Sequence, residues 1–180
     1  RASDAVLIVE PSAYYTSLLR DWLAELGFRD VYTCTTAEVA RVHINEQKFA
    51  ALVIDSKLED GSGIVLARQT RHTANSPNRM TPVIVLDGRA TRRRVSAARD
   101  GGASEYVCKP MSRKAFSEHF RIALNDQRSF INSGAFFGPD RRRHMAGWDG
   151  RDRRRQTPRR VSVEDGLAED DWKGWRKMTQ

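Results

Sequence analysis

Short apolar runs alternate with amphipathic stretches along the first two-thirds of the chain. Val6-Leu-Ile-Val9 is wholly apolar, the pattern of a strand covered on both faces. Ser12 can cap a following helix whose apolar positions Tyr15, Leu18, Leu19, Trp22, Leu23 and Leu26 fall on one side, and Gly27 can end it. Val31 to Thr35 is a more polar strand, suited to a sheet edge, and Thr36 or Ala37 to about Gln47 reads as a helix. Ala50 to Ile54 predicts a third, buried strand. A turn at Asp60-Gly-Ser-Gly63 precedes helical spacing over 64–73, and Asn75 to Thr81 is a loop of Ser, Pro and Asn. Val83 to Leu86 is a fourth strand, Thr91 to about Arg99 a helix, and Glu105 to Cys108 a short fifth strand. Ser112 caps a last helix with Phe116, Phe120 and Leu124 spaced by four. Five strand–helix units of this length predict an α/β fold: a doubly wound, five-stranded parallel sheet with helices on both faces.

The pattern fades after residue 125. Of the 180 residues, 1–125 carry 18 Lys+Arg against 14 Asp+Glu, and 126–180 carry 13 against 9. The net charge of +8 is therefore shared equally by two parts of unequal length, and nine arginines crowd into 141–160. We expect a domain over 1–125 and an irregular, Arg-rich, aromatic-containing extension over 126–180, with the boundary near 126–135. Phe130-Ile131 and Phe136-Phe137 bracket a turn at Gly134, and Trp148, Trp172 and Trp175 argue for contact with protein rather than pure solvation. Nothing in the extension offers the two amphipathic helices of a helix-turn-helix unit. The arginines could neutralise phosphates nonspecifically, but nucleic acid is the weaker expectation for them.

No apolar run approaches the roughly 18–20 residues of a bilayer span. The run behind Asp4 is also shorter than the roughly 7–15 residues of a signal-peptide core. Two cysteines, Cys34 and Cys108, make no disulfide framework, so a reducing cytoplasm is expected. Cys108 is expected in the core, Tyr14 and Tyr15 in the packing of the first helix, and Arg92-Arg93-Arg94 in a solvated helix turn.

Ligands of open parallel sheets bind beyond the carboxyl ends of the strands. The first charged residues after the buried strands are Glu10, Asp55, Asp87 and Lys109, the last followed by Pro110. Three carboxylates and one amine should converge on one rim.

These segments resemble the receiver domain of two-component response regulators. The resemblance rests on Val6-Leu-Ile-Val-Glu10, Leu52-Val-Ile-Asp55 with the Gly61-Ser-Gly63 turn, Pro82-Val-Ile-Val-Leu86, and Gly102-Ala-Ser-Glu-Tyr-Val-Cys-Lys-Pro110. It implies a flavodoxin-like fold with sheet order 2-1-3-4-5. It implies Asp55 as the phosphoacceptor and Lys109 as the amine that pairs with the phosphoryl group. It also implies Mg²⁺ held by Glu10, Asp55 and the backbone carbonyl of Lys57, and Tyr106 as an aromatic switch. The bond before Pro110 is expected to be cis.

Two positions depart from the resemblance. Pro11 stands where a second acidic residue is usual, and Asp87 stands where a Thr or Ser hydroxyl donates to the phosphoryl group. A carboxylate cannot donate, and at ~4 Å and an effective dielectric near 20 it repels a second unit charge by about 4 kcal/mol. Three readings of Asp87 stand open: a Mg²⁺ ligand beside Glu10 and Asp55, an ion-pair partner of Lys109, or a surface residue of a lapsed site.

The expected function is a stand-alone response regulator receiver that is not an enzyme. It would accept a phosphoryl group on Asp55 from a histidine kinase or phosphotransfer protein and signal to a downstream protein. A homodimer through the tail or the fourth-to-fifth-helix face belongs to this expectation. The alternative is a pseudo-receiver adaptor that works without phosphorylation. A third reading is a nucleic-acid-associated regulator acting through the arginines.

Overall fold

The computed structural model describes residues 4–126, 128–133 and 136–140, and the backbone of 159–161. The strands are β1 (Val6–Val9), β2 (Val31–Cys34), β3 (Ala51–Asp55), β4 (Lys57–Leu58), β5 (Gly61–Ser62), β6 (Val83–Asp87), β7 (Glu105–Cys108), β8 (Phe130–Asn132), β9 (Phe137–Pro139) and β10 (Arg159–Val161). The helices are α1 (Ala13–Glu25), α2 (Ala37–Glu46), α3 (Gly63–His72), α4 (Arg92–Asp100) and α5 (Arg113–Leu124).

The central sheet is parallel, with order β2-β1-β3-β6-β7. Counting only its own strands, that is the expected 2-1-3-4-5. Alternate side chains leave opposite faces of a strand, and the core divides accordingly. Leu7, Val9, Leu52, Ile54, Val83 and Val85 meet Ala40 and Ile44 of α2, Leu66 and Ala67 of α3 and Ala98 of α4. Val6, Ile8, Val53, Ile84 and Leu86 meet Leu19 and Leu23 of α1 and Phe116 and Phe120 of α5. β2 lies at the sheet edge and is only half buried, as its polar residues anticipate.

Local chemistry sets the helix ends. The side chains of Ser12, Thr36, Thr91 and Ser112 accept the N–H of Tyr15, Val39, Arg94 and Ala115. Asp60 adds a cap from a distance: its carboxylate accepts the Ala37 N–H at 2.6 Å and the Glu38 N–H at 3.0 Å. Gly27 takes φ +95°, beyond the end of α1.

The loop before β6 is a polar lock. Asn78 is fully buried, and its Oδ1 accepts from the Phe49 N–H (2.8 Å) and the Thr81 hydroxyl (3.0 Å). Its Nδ2 donates to the carbonyls of Ile44 and Gln47, each at 2.7 Å, which ties α2 to β3.

The extension contains a second, small sheet. β8, β9 and β10 form an antiparallel sheet of order β10-β8-β9. The β8–β9 hairpin covers the end of α3: the Arg71 guanidinium lies 5.2 Å from the centroid of the Phe130 ring and that of Arg79 lies 3.7 Å from Phe137. Arg71 is fully buried, and burial lowers the pKa of its guanidinium. It donates to the carbonyls of Gly102 (3.1 Å) and Arg79 (2.7 Å). Part of the expected extension thus packs on the domain. The arginine-rich run over 141–158 and Trp148, Trp172 and Trp175 lie outside the described residues. Among the described residues, no helix is long and apolar enough to cross a membrane.

Candidate functional site

The parallel register brings the strand ends to one rim. Val9 pairs with Ile54, Asp55 with Leu86, and Asp87 with Cys108. Glu10, Asp55, Asp87 and Lys109 therefore emerge together at the carboxyl edge. All three carboxylates are buried, and the Lys109 side chain is 8% exposed.

Within this rim the charges sort into two groups. In the first, the Lys109 ammonium lies between Glu10 Oε2 and Asp55 Oδ2 and pairs with both. Backbone amides hold the outer oxygens: the Ser12 N–H donates to Glu10 Oε1 at 3.0 Å, and the Lys57 N–H donates to Asp55 Oδ1 at 2.7 Å. Burial raises the Glu10 pKa, and the Lys109 bond works against that rise. The Lys109–Pro110 bond is cis. Tyr15, expected only in helix packing, presents its ring face 4.1 Å from the Lys109 ammonium.

The second group centres on Asp87. Its Oδ1 accepts the Arg89 N–H at 2.9 Å. Its Oδ2 accepts both Arg94 Nε and the Tyr106 hydroxyl, each at 2.6 Å. Arg94 also donates from Nη2 to Ser56 Oγ at 2.9 Å. Burial pushes the Asp87 carboxyl up, but donation from Arg94, Tyr106 and the Arg89 amide outweighs it and brings the pKa down to about 2. Burial, with the bond to Asp87, raises that of Tyr106.

None of the three expectations for Asp87 matches this arrangement. Asp87 is buried rather than surface-directed, and its ion-pair partner is Arg94 rather than Lys109. Lys109 is drawn instead past β6 to the carboxylates at the ends of β1 and β3. The Asp87 oxygens are taken by Arg89, Arg94 and Tyr106, and among the described residues no three His, Cys, Asp or Glu are grouped to hold a metal. Arg94, expected in a solvated turn, reaches into the rim because its helix starts directly beyond β6. An arginine triplet at a helix start reads as solvated from sequence, and only the long-range contact to Ser56 identifies the one that turns inward. Cys108, expected in the core, is exposed at the end of β7. Cys34 is half-buried, and burial pushes its thiol up to about 11.

Glu10 and Asp55 remain a donor set that suits Mg²⁺, a hard ion taking one or two carboxylates with waters and phosphate oxygens. Both converge on the point now held by the Lys109 ammonium, so the rim already carries a cation between them. Gly63 closes this side: a Cβ there would stand 1.9 Å from the Asp55 carbonyl oxygen, so the helix can pass this close only without a side chain.

A parallel sheet with two acids and a lysine converging at its carboxyl rim is the layout of a receiver-type protein. The chain belongs to the response regulator receiver domain family, whose pattern matches residues 6–121. It is 32% identical over 119 residues to the KDP operon transcriptional regulatory protein KdpE of Escherichia coli, covering 66% of this chain and 50% of that protein. The chain spans about half the length of the two KdpE relatives it matches. Among solved structures it resembles the beryllofluoride-activated NtrC4 receiver domain dimer, with 30% identity and TM-score 0.60, covering 67% of this chain and 96% of that one. It also shares the fold of the receiver domain of a Pseudomonas aeruginosa sensor histidine kinase with a magnesium ion coordinated in its active-site cleft. That likeness has 22% identity and TM-score 0.61 and covers 69% of this chain and all of the other.

Proposed function

We propose that this receiver accepts a phosphoryl group on Asp55 from a phosphohistidine of a histidine kinase or phosphotransfer protein, and signals through protein contacts. The observation that carries this reading is the Lys109 ammonium seated between Glu10 and Asp55 at the sheet's carboxyl rim. Lys109 neutralises charge that builds on the transferring group, and the Lys57 amide fixes the orientation of the Asp55 carboxylate. In the transfer, an Asp55 oxygen forms a bond to phosphorus as the N–P bond breaks. The electron pair returns to the imidazole nitrogen, and the product is an acyl phosphate.

Glu10, Asp55 and the Lys57 carbonyl are the groups that would hold Mg²⁺, which supplies charge neutralisation at the phosphoryl oxygens when bound. The chain is then the acceptor of the phosphoryl group rather than an enzyme in its own right. A cytoplasmic setting belongs to this reading, consistent with two free thiols. So does self-association or partner docking on the face of α4 and α5, where Val95 and Ile122 are each 41% exposed.

One observation favours a second reading, a pseudo-receiver adaptor. Tyr106 and Asp87 are already bonded without a phosphoryl group, so the switch position is engaged in advance. The nucleic-acid reading rests on arginines outside the described residues. Intact-mass measurement after acetyl phosphate treatment, with and without Mg²⁺, decides between the first two. Wild type should gain a phosphoryl mass that Asp55→Asn lacks. Gain by Asp87→Thr alone would establish the adaptor.

A further inference from the structure

A phosphoryl group on Asp55 places roughly −1.5 to −2 charge at the rim where the free carboxylate carried −1, and carries it further out from β3. The end of β6 meets it with Asp87, a carboxylate that is 2% exposed. The phosphoacceptor reading therefore needs a donor from elsewhere at this position.

Arg94 has the required placement. Its Nε is on Asp87 Oδ2, and its Nη2 is on the hydroxyl of Ser56, which directly follows Asp55. The guanidinium thus bridges the ends of β3 and β6. Two of its five N–H donors are used in that bridge, and the side chain is still 38% exposed. A guanidinium stays charged at working pH and matches phosphate oxygens with paired donors.

We propose that Arg94 binds the phosphoryl group carried by Asp55, supplying the donors that Asp87 cannot, and that Asp87 is the positioning residue that aims it. The inference rests on Asp55 as phosphoacceptor. It accounts for the tolerance of a buried carboxylate beside the acceptor, because the Asp87–Arg94 pair is neutral where Asp87 alone repels. It also gives a route to α4 and Tyr106. As the phosphoryl group draws on Arg94, the balance of donors on Asp87 Oδ2 shifts towards the Tyr106 hydroxyl.

The test follows phosphorylation of the full chain by acetyl phosphate and Mg²⁺, read by intact mass over time. In this step an Asp55 oxygen bonds to phosphorus, the P–O bond to the acetyl group breaks, and acetate leaves with the electron pair. Loss of a charged hydrogen bond predicts that Arg94→Ala is phosphorylated roughly tenfold to hundredfold more slowly than wild type. The Arg94→Ala, Asp87→Thr double variant should recover most of that rate, because a hydroxyl donor then replaces the uncovered carboxylate. Arg94→Lys should fall between wild type and Arg94→Ala. A merely structural role for Arg94 gives no such rescue, and circular dichroism checks that each variant is folded.

Equal rates for wild type and Arg94→Ala overturn the inference and leave the phosphoacceptor reading standing. A double variant no faster than Arg94→Ala overturns it in the same way. Wild type that gains no mass removes the phosphoacceptor reading, and the inference with it.

Discussion

Acid should expose the pair at the end of β6, because the pKa of the Asp87 carboxyl is brought down from 3.8 to about 2. A carboxyl depressed in the folded state stabilises the fold above its unfolded pKa and loses that contribution as pH falls through the folded value. The window therefore runs from about pH 4 downward to about pH 2. Each pKa unit corresponds to about 1.4 kcal/mol, so the full contribution is on the order of 2 kcal/mol. Between pH 6 and pH 3 the two titration curves remove about 1 kcal/mol of it.

The measurement is urea unfolding at low ionic strength across that range, on wild type and Asp87→Asn. Low salt matters because Arg94 is 38% exposed and its pair is open to screening. Asparagine does not titrate, so wild type should lose about 1 kcal/mol more than the variant between pH 6 and pH 3. The raised pKa of Glu10 has the opposite sign and stabilises the fold as pH falls, but it is common to both chains and cancels in the difference. Parallel pH slopes would show that Asp87 keeps an ordinary carboxyl pKa. The contacts with Arg94 and Tyr106 would then not exist in solution.

Two further outcomes test the fold around the site. Asn78→Ala should destabilise by about 3 kcal/mol or more in denaturant titration, because it leaves the Phe49 amide and the carbonyls of Ile44 and Gln47 buried without their partner. A cost under about 1 kcal/mol, the net worth of a single ordinary hydrogen bond, would contradict the lock. Phe137→Ala removes a 5% exposed ring that stacks on Arg79 and packs 5.4 Å from Phe130, and should lower stability by about 2–3 kcal/mol. An unchanged melting temperature would mean that the hairpin contributes nothing to the domain.

The alternation of four- and five-residue apolar runs with amphipathic stretches was enough to set the succession of strands and helices, the two-sided core and the edge position of β2, while the sheet order came from the family resemblance. Those features follow from periodicity, which is a local property of the chain. The convergence of Glu10, Asp55 and Lys109 was legible for the same reason: a parallel sheet puts every strand's carboxyl end on one side, so the residue after each apolar run declares its place.

Pairing within the rim was not legible. Asp87 had three candidate arrangements by charge alone, and its choice of Arg94 depends on how α4 leaves β6, a matter of a few ångströms in space and seven positions in sequence. Asn78 looked like a loop residue because the groups it binds lie about thirty residues away along the chain. Tyr15 fitted an apolar helix face equally well whether or not Lys109 lay above it. Over 1–125 the chain itself determined the strands and helices of the central fold and which strand ends carry charge, because both depend on near neighbours, whereas the small β10-β8-β9 sheet of the extension, expected to be irregular, was set by tertiary pairing. Tertiary structure alone decided which donor each buried carboxylate takes, because that choice is made by distance and direction between segments that meet only after folding.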